Sequence, residues 1–115
     1  MGSTRSNYSN PYRPMVIDHI KKYDVMRLKG DATSIVILDA IDEVLEKYKN
    51  SDKNIFRDKY KAIDLMYIQK THKSFGVAKC LHVDNATVFR WANDVINEIA
   101  VNAKLIRKDA IKTHK

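Results

Sequence analysis

Glycine and proline are scarce in this 115-residue chain: it has three glycines and two prolines, both prolines before residue 15. A small all-β domain needs many tight turns and the residues that make them, so this composition disfavours sheets and predicts an all-α chain. The single cysteine, Cys80, has no intramolecular disulfide partner, and the N-terminal residues lack the apolar core of a secretory signal, which predicts a reducing cytoplasm. No apolar run approaches the roughly 18 residues that a membrane span requires, so no membrane partner is expected. Also missing are a glycine-rich phosphate loop, a Cys/His set with zinc spacing, and any nucleophile, base or paired-carboxylate arrangement. The four histidines, His19, His72, His82 and His114, are scattered, and Cys80 with His82 supplies only two ligand types at one helix end. Catalytic residues, metal and cofactor are all expected to be absent. Cys80 is expected to pack as a small apolar residue.

What is present is positive charge, unevenly placed. The net charge is +7, with about +4 in residues 1 to 30, −3 in residues 31 to 50 and +6 in residues 51 to 115. Length and hydrophobic content suit one small core. A basic second half beside an acidic middle points to a polyanion on one side and leaves the acidic stretch for a protein contact or plain solvation.

Residues 1 to 14 lack periodicity and read as a flexible N-terminal arm. Residues 15 to 50 read as a helical pair. The first helix starts at Pro14 or Met15, runs through Val16, Ile20 and Tyr23, and stops before Gly30, expected as a left-handed C-terminal residue. The second is capped by Asp31 or Thr33 and runs to about Lys49. Its Ile35-Val36-Ile37 run suits a strand, but Leu38, Ile41, Leu45 and Tyr48 keep helical spacing and no second strand is available. Asp39, Asp42, Glu43 and Glu46 form its acidic side. Lys53 to Ile68 reads as a third helix, with Phe56, Tyr60, Ile63 and Tyr67 on one side.

Residues 74 to 99, SFGVAKCLHVDNATVFRWANDVINEI, carry the strongest pattern: two short amphipathic helices joined by a polar turn. The first is predicted from Ser74, as N-cap, to about Leu81, with Phe75, Val77, Ala78 and Leu81 facing inward. His82-Val83-Asp84 forms the turn, with Val83 as an apolar plug and Asp84 capping a helix that begins near Asn85. Val88, Trp91, Ala92, Val95, Ile96 and Ile99 make its buried stripe, and the helix is expected to continue through Val101 and Leu105. Asn85, Ala86, Phe89, Arg90 and Asn93 fall on the other face, a mixture of donors, acceptors and apolar contacts of the kind that reads base edges in a major groove. Lys73 lies just before the first of these helices, where reach favours phosphate. The bland alternative for Arg90 is an ion pair with Asp94 one turn later.

The run Val83-Asp84-Asn85-Ala86-Thr87-Val88-Phe89-Arg90-Trp91 resembles helix-turn-helix segments related to sigma-factor region 4, with Asp84 where serine is usual. Together with Ile37 to Leu45 and Lys53 to Tyr60 ahead of it, the order of elements over roughly residues 35 to 100 is similar to phage late-gene transcription regulators of the ArpU/RinA type. The resemblance implies a small helical bundle, with residues 51 to 106 as a helix-turn-helix unit and 107 to 115 as a basic tail. It implies double-stranded DNA as partner, contacted by Lys73, Ser74, Asn85, Ala86, Thr87, Phe89, Arg90 and Asn93. It further implies an activator in the cytoplasm of a bacterial host cell, with host RNA polymerase as a second partner, while the small reading surface of one such unit and the two extra N-terminal helices predict a homodimer on DNA. Two other readings of the sequence are a DNA-binding subunit of phage packaging, like a small terminase, and a helical protein-binding adaptor.

Overall fold

A computed structural model describes residues 10–106. Six α-helices account for most of them: α1 (Arg13–Lys21), α2 (Tyr23–Lys29), α3 (Ala32–Lys49), α4 (Asn54–Ile63), α5 (Ser74–Leu81) and α6 (Asn85–Asn102). No strand occurs among the described residues, and none of the described helices is long and apolar enough to cross a membrane. The Ile35-Val36-Ile37 run is helical, and its Ile37 joins Leu38, Ile41, Val44 and Tyr48 on the buried side of α3.

Helix α6 is the centre of the packing. It touches α1, α3, α4 and α5, and its Val88, Ala92, Val95, Ile96, Ile99 and Ala100 have no exposed surface. The cluster they form takes in Val16 and Ile20 from α1, Ala62 and Ile63 from α4, and Val77 and Ala78 from α5. Polar ties lie around it. Glu98 of α6 accepts a hydrogen bond from the Tyr48 hydroxyl at 2.7 Å and pairs with Lys47, while Asp94 pairs with Lys59 at 2.9 Å. Burial, and then the Glu98 carboxylate, raise the Tyr48 phenol above its usual range, which keeps it the donor in that bond.

The first helix is not continuous. It breaks at Lys22 (φ −112°, ψ 30°) with no proline or glycine nearby. The cause is a side chain in the backbone ladder. Lys70 Nζ donates to the Lys21 carbonyl at 3.1 Å, the group an unbroken helix would offer to the Val25 N–H. Beyond the break, Tyr23 donates to Asp42 at 2.7 Å, and Arg27 donates to Asp42 at 2.8 Å and Asp39 at 3.1 Å, tying α2 to α3. Two of the four acidic residues of α3 are thereby engaged inside the chain. His19 is buried, as befits a structural histidine: Nδ1 donates to the Met15 carbonyl at 2.8 Å, and Nε2 meets the Ser34 hydroxyl at 3.0 Å.

The third predicted helix reaches Ile68 as expected but changes its pitch on the way. After Ile63 the chain widens into a π-helical turn, Asp64–Ile68, closed by Gln69 N–H donating to the Asp64 carbonyl at 2.8 Å. The wider turn sets three consecutive residues, Leu65, Met66 and Tyr67, against the core. At the other end of the chain α6 stops at Asn102. Lys104 turns left-handed (φ 64°), and Leu105 N–H reaches back to the Ala100 carbonyl at 2.9 Å, so Leu105 packs on the core from outside the helix it was expected to extend.

Residues 10 to 14, expected in the arm, belong to the fold. Asn10 is buried; its Oδ1 accepts from Tyr12 N–H at 2.9 Å and its Nδ2 donates to Asn97 of α6 at 2.8 Å. Residues 1 to 9 of the arm and the basic tail, 107 to 115, lie outside the described residues.

Gly30 serves a different purpose from the one expected. Its backbone is extended (φ −73°), not left-handed. What excludes a side chain is space: a Cβ there would lie 2.4 Å from the Met26 carbonyl oxygen and 2.7 Å from Ser34 Cβ, where α2 meets α3. Gly30→Ala is therefore expected to destabilise the fold by about 1–3 kcal/mol, read as a lower denaturant midpoint with an unchanged slope.

Candidate nucleic-acid interface

Helix α5 begins one residue away from its expected cap. Lys73, extended at φ −91° and ψ 172°, occupies the N-cap position, Ser74 is the first helical residue, and no side chain caps the helix. The first-turn N–H groups of α5 thus have no side-chain acceptor, and exposed Lys73 stands beside them. The inward residues are Val77, Ala78 and Leu81 with half-buried Ser74, a clean helical stripe. Phe75 is one position off that stripe. It shares its side with Lys79 and His82 and is 63% exposed, so its expected core position is overturned. Cys80 is likewise exposed and not packed.

The turn closes α5 with His82 in the left-handed region (φ 59°, ψ 44°), a conformation that usually falls to glycine. Val83 N–H returns to the Ala78 carbonyl at 3.0 Å and the Val83 side chain packs against the core, as its role of apolar plug requires. Asp84 then caps α6 as expected, its carboxylate accepting from Thr87 N–H at 2.8 Å. Thr87, through its hydroxyl and then its amide, holds the Asp84 carboxyl below the ordinary carboxylate range, with a smaller contribution from the charge of Arg90.

Along the first half of α6 the two sides separate. Val88 and Trp91 are buried, at 0% and 9% exposure, which makes them core residues. Asn85, Ala86, Phe89 and Arg90 are exposed, and Phe89 keeps 44% of its surface in solvent. Arg90 does not pair with Asp94, which Lys59 holds. Instead Arg90 Nη2 donates to the Thr87 hydroxyl at 3.1 Å, a contact that keeps the guanidinium next to the start of the helix. Thr87 is half-buried. Asn93 is also half-buried and accepts from Arg13 Nε at 2.7 Å, so one side of its amide is already committed to α1. The expected site residues therefore divide. Lys73, Asn85, Ala86, Phe89 and Arg90 are open to a partner, Ser74 and Thr87 are partly covered, and Asn93 is anchored. Phe75 and Lys79 are also exposed on α5, Lys79 as its position implies and Phe75 against the expectation that it faces inward.

No protein-family model, curated protein or solved structure matches the chain.

Asp84 yields a test with a defined sign. Its native-state pKa lies below the ordinary value of 3.8, so the capping stabilisation is fully present above that value and is lost as pH falls through the lowered native one. Asp84→Ala is expected to melt below the wild type at neutral pH, and the gap between the two melting temperatures is expected to narrow in melts taken at progressively lower pH beneath that value.

Proposed function

We propose that this chain is a double-stranded DNA-binding transcription regulator, an activator of the phage late-gene type, which inserts the first half of α6 into the major groove. The observation that supports this most strongly is the division of that half-helix. Val88 and Trp91 hold it to the core, while Asn85, Ala86, Phe89 and Arg90 stand free on one side. Such a set combines a side-chain amide, small and aromatic apolar groups and a guanidinium, which suit adenine, the thymine methyl and guanine in turn. The approach to α5 supplies what positions a reading helix: uncapped amides and the Lys73 ammonium, both favourable to phosphate. On this reading α5, its three-residue turn and α6 act as a helix-turn-helix. The basic balance of residues 51 to 115 adds attraction to any duplex.

One α6 reaches only a few base pairs, so the proposal includes a homodimer on a two-fold site, checked by sedimentation of the protein with and without its target duplex. Footprinting the protein across its own genome locates the target. Promoter-proximal sites support the activator, with host RNA polymerase as the second partner, whereas a footprint at a packaging site replaces it by the small-terminase reading.

Two substitutions are expected to separate reading from positioning. Arg90→Ala is expected to cost about 1–3 kcal/mol on the specific site and to relax preference at one base pair. Lys73→Ala is expected to weaken all duplexes alike and to reduce the slope of log affinity against log salt by about one. Competition binding over a salt series measures both.

A further inference from the structure

A groove of about 610 Å³ lies away from α5 and the exposed half of α6, where the α1–α2 break, the second half of α3 and the end of the π-helical turn meet. Its volume falls within the range of small-ligand sites, roughly 300–1,000 Å³. The break at Lys22, where Lys70 takes the Lys21 carbonyl, forms part of its wall. Apolar contact within it comes from Ile41, Leu45 and Tyr60. The Tyr60 hydroxyl makes no hydrogen bond with another described residue, which leaves a donor at the wall of the groove.

The charges around the groove look balanced until their partners are assigned. Asp42 is held by Tyr23 and Arg27, so its charge is offset, whereas Glu46 accepts from the neutral Asn50 amide at 2.8 Å and keeps its charge. Lys22 is paired with Asp18 at 3.2 Å. Lys21, Lys49 and Lys70 line the same groove and enter no ion pair among the described residues. Against these three ammonium groups stand Asp24 and Glu46, which leaves one positive charge in excess. An apolar wall, a phenolic donor and surplus ammonium charge together suit one kind of ligand.

We propose that this groove binds a small organic acid with an aryl or alkyl body, its apolar part against Ile41, Leu45 and Tyr60 and its acid group toward Lys21, Lys49 and Lys70. The site is independent of the DNA-binding reading, since it shares no residue with the exposed face of α5 and α6. Its one link to that face is Lys70, which lines the groove and lies three residues before Lys73 at the start of α5.

The test uses anilinonaphthalene sulfonate as the probe, its uncharged parent phenylnaphthylamine as the control and decanoate as the competitor, on the full chain without DNA. The sulfonate is expected to bind at one saturable site, to be displaced by decanoate, and to shift the methyl resonances of Ile41 and Leu45. Lys21→Glu combined with Lys49→Glu is expected to lower its affinity about tenfold, as reversing two exposed charges near an anion should, and to leave phenylnaphthylamine unaffected. Lys79→Glu, on α5, is expected to change nothing. An unchanged affinity in the double variant, equal losses for the charged and uncharged probes, or a loss in Lys79→Glu would each overturn the proposal. Because no DNA is present, failure here leaves the reading of α6 standing, and failure to bind duplex leaves the groove standing.

Discussion

The burial of α6 is the constraint on which the other elements depend. Four helices share its surface, and each contributes residues to the one cluster around Val95, Ile96 and Ile99. Deleting a large side chain from such a position costs about 2–5 kcal/mol, a large part of the margin of a domain this size. The same burial fixes what is left over. A helix packed along one side from Val88 to Ala100 has no freedom to rotate, so the exposed residues at its start are held at a set angle to α5. Rigidity of the presented face is thus a by-product of core packing, and Asp84 fixes the point at which that face begins.

Electrostatics divide the molecule in a parallel way. The acidic middle of the sequence is partly consumed in folding: Asp39 and Asp42 hold Arg27, and Asp31 caps α3 by accepting from Ser34 N–H at 3.0 Å. The carboxylates of α6, Asp94 and Glu98, hold Lys59 and Lys47. Lys73 at the α5 approach and Lys21, Lys49 and Lys70 around the groove are left without such partners among the described residues. Exposed pairs of this kind add little stability, a few tenths of a kcal/mol to about 1 kcal/mol each. Their larger effect is to determine where positive potential remains.

Legibility in the sequence followed the range of the interactions involved. Caps and stripes are local, and they were readable: Asp31 and Asp84 cap as their positions imply, and the stripe from Val88 to Ile99 is buried as its spacing requires. What failed depended on contacts distant in the chain. The break at Lys22 is made by Lys70, and no residue near Lys22 announces it. Gly30 is needed for the approach of α2 to α3 and not for a left-handed turn, a distinction that only the packed pair displays. Phe75 was placed inward for its apolarity, yet two positions before Val77 it lies on nearly the opposite side of α5 from that residue. The docking of residues 10 to 13 had a local signal, since asparagine before proline favours a turn, but its partners Asn93 and Asn97 lie 80 and 87 residues on. Within the candidate interface, helical position identified the outward residues well. It could not show that Arg13 already holds Asn93.

The claim that the exposed start of α6 meets DNA is tested most directly by mapping the contact on the free protein. Isotope-labelled protein titrated with duplex DNA at low salt is predicted to shift the backbone resonances of residues 73 to 75 and 84 to 90, and the side-chain resonances of Asn85 and Arg90, while those of the acidic side of α3 stay in place. Shifts centred on Asp39 to Glu46, or none at all at protein concentrations where basic domains bind any duplex, would contradict it.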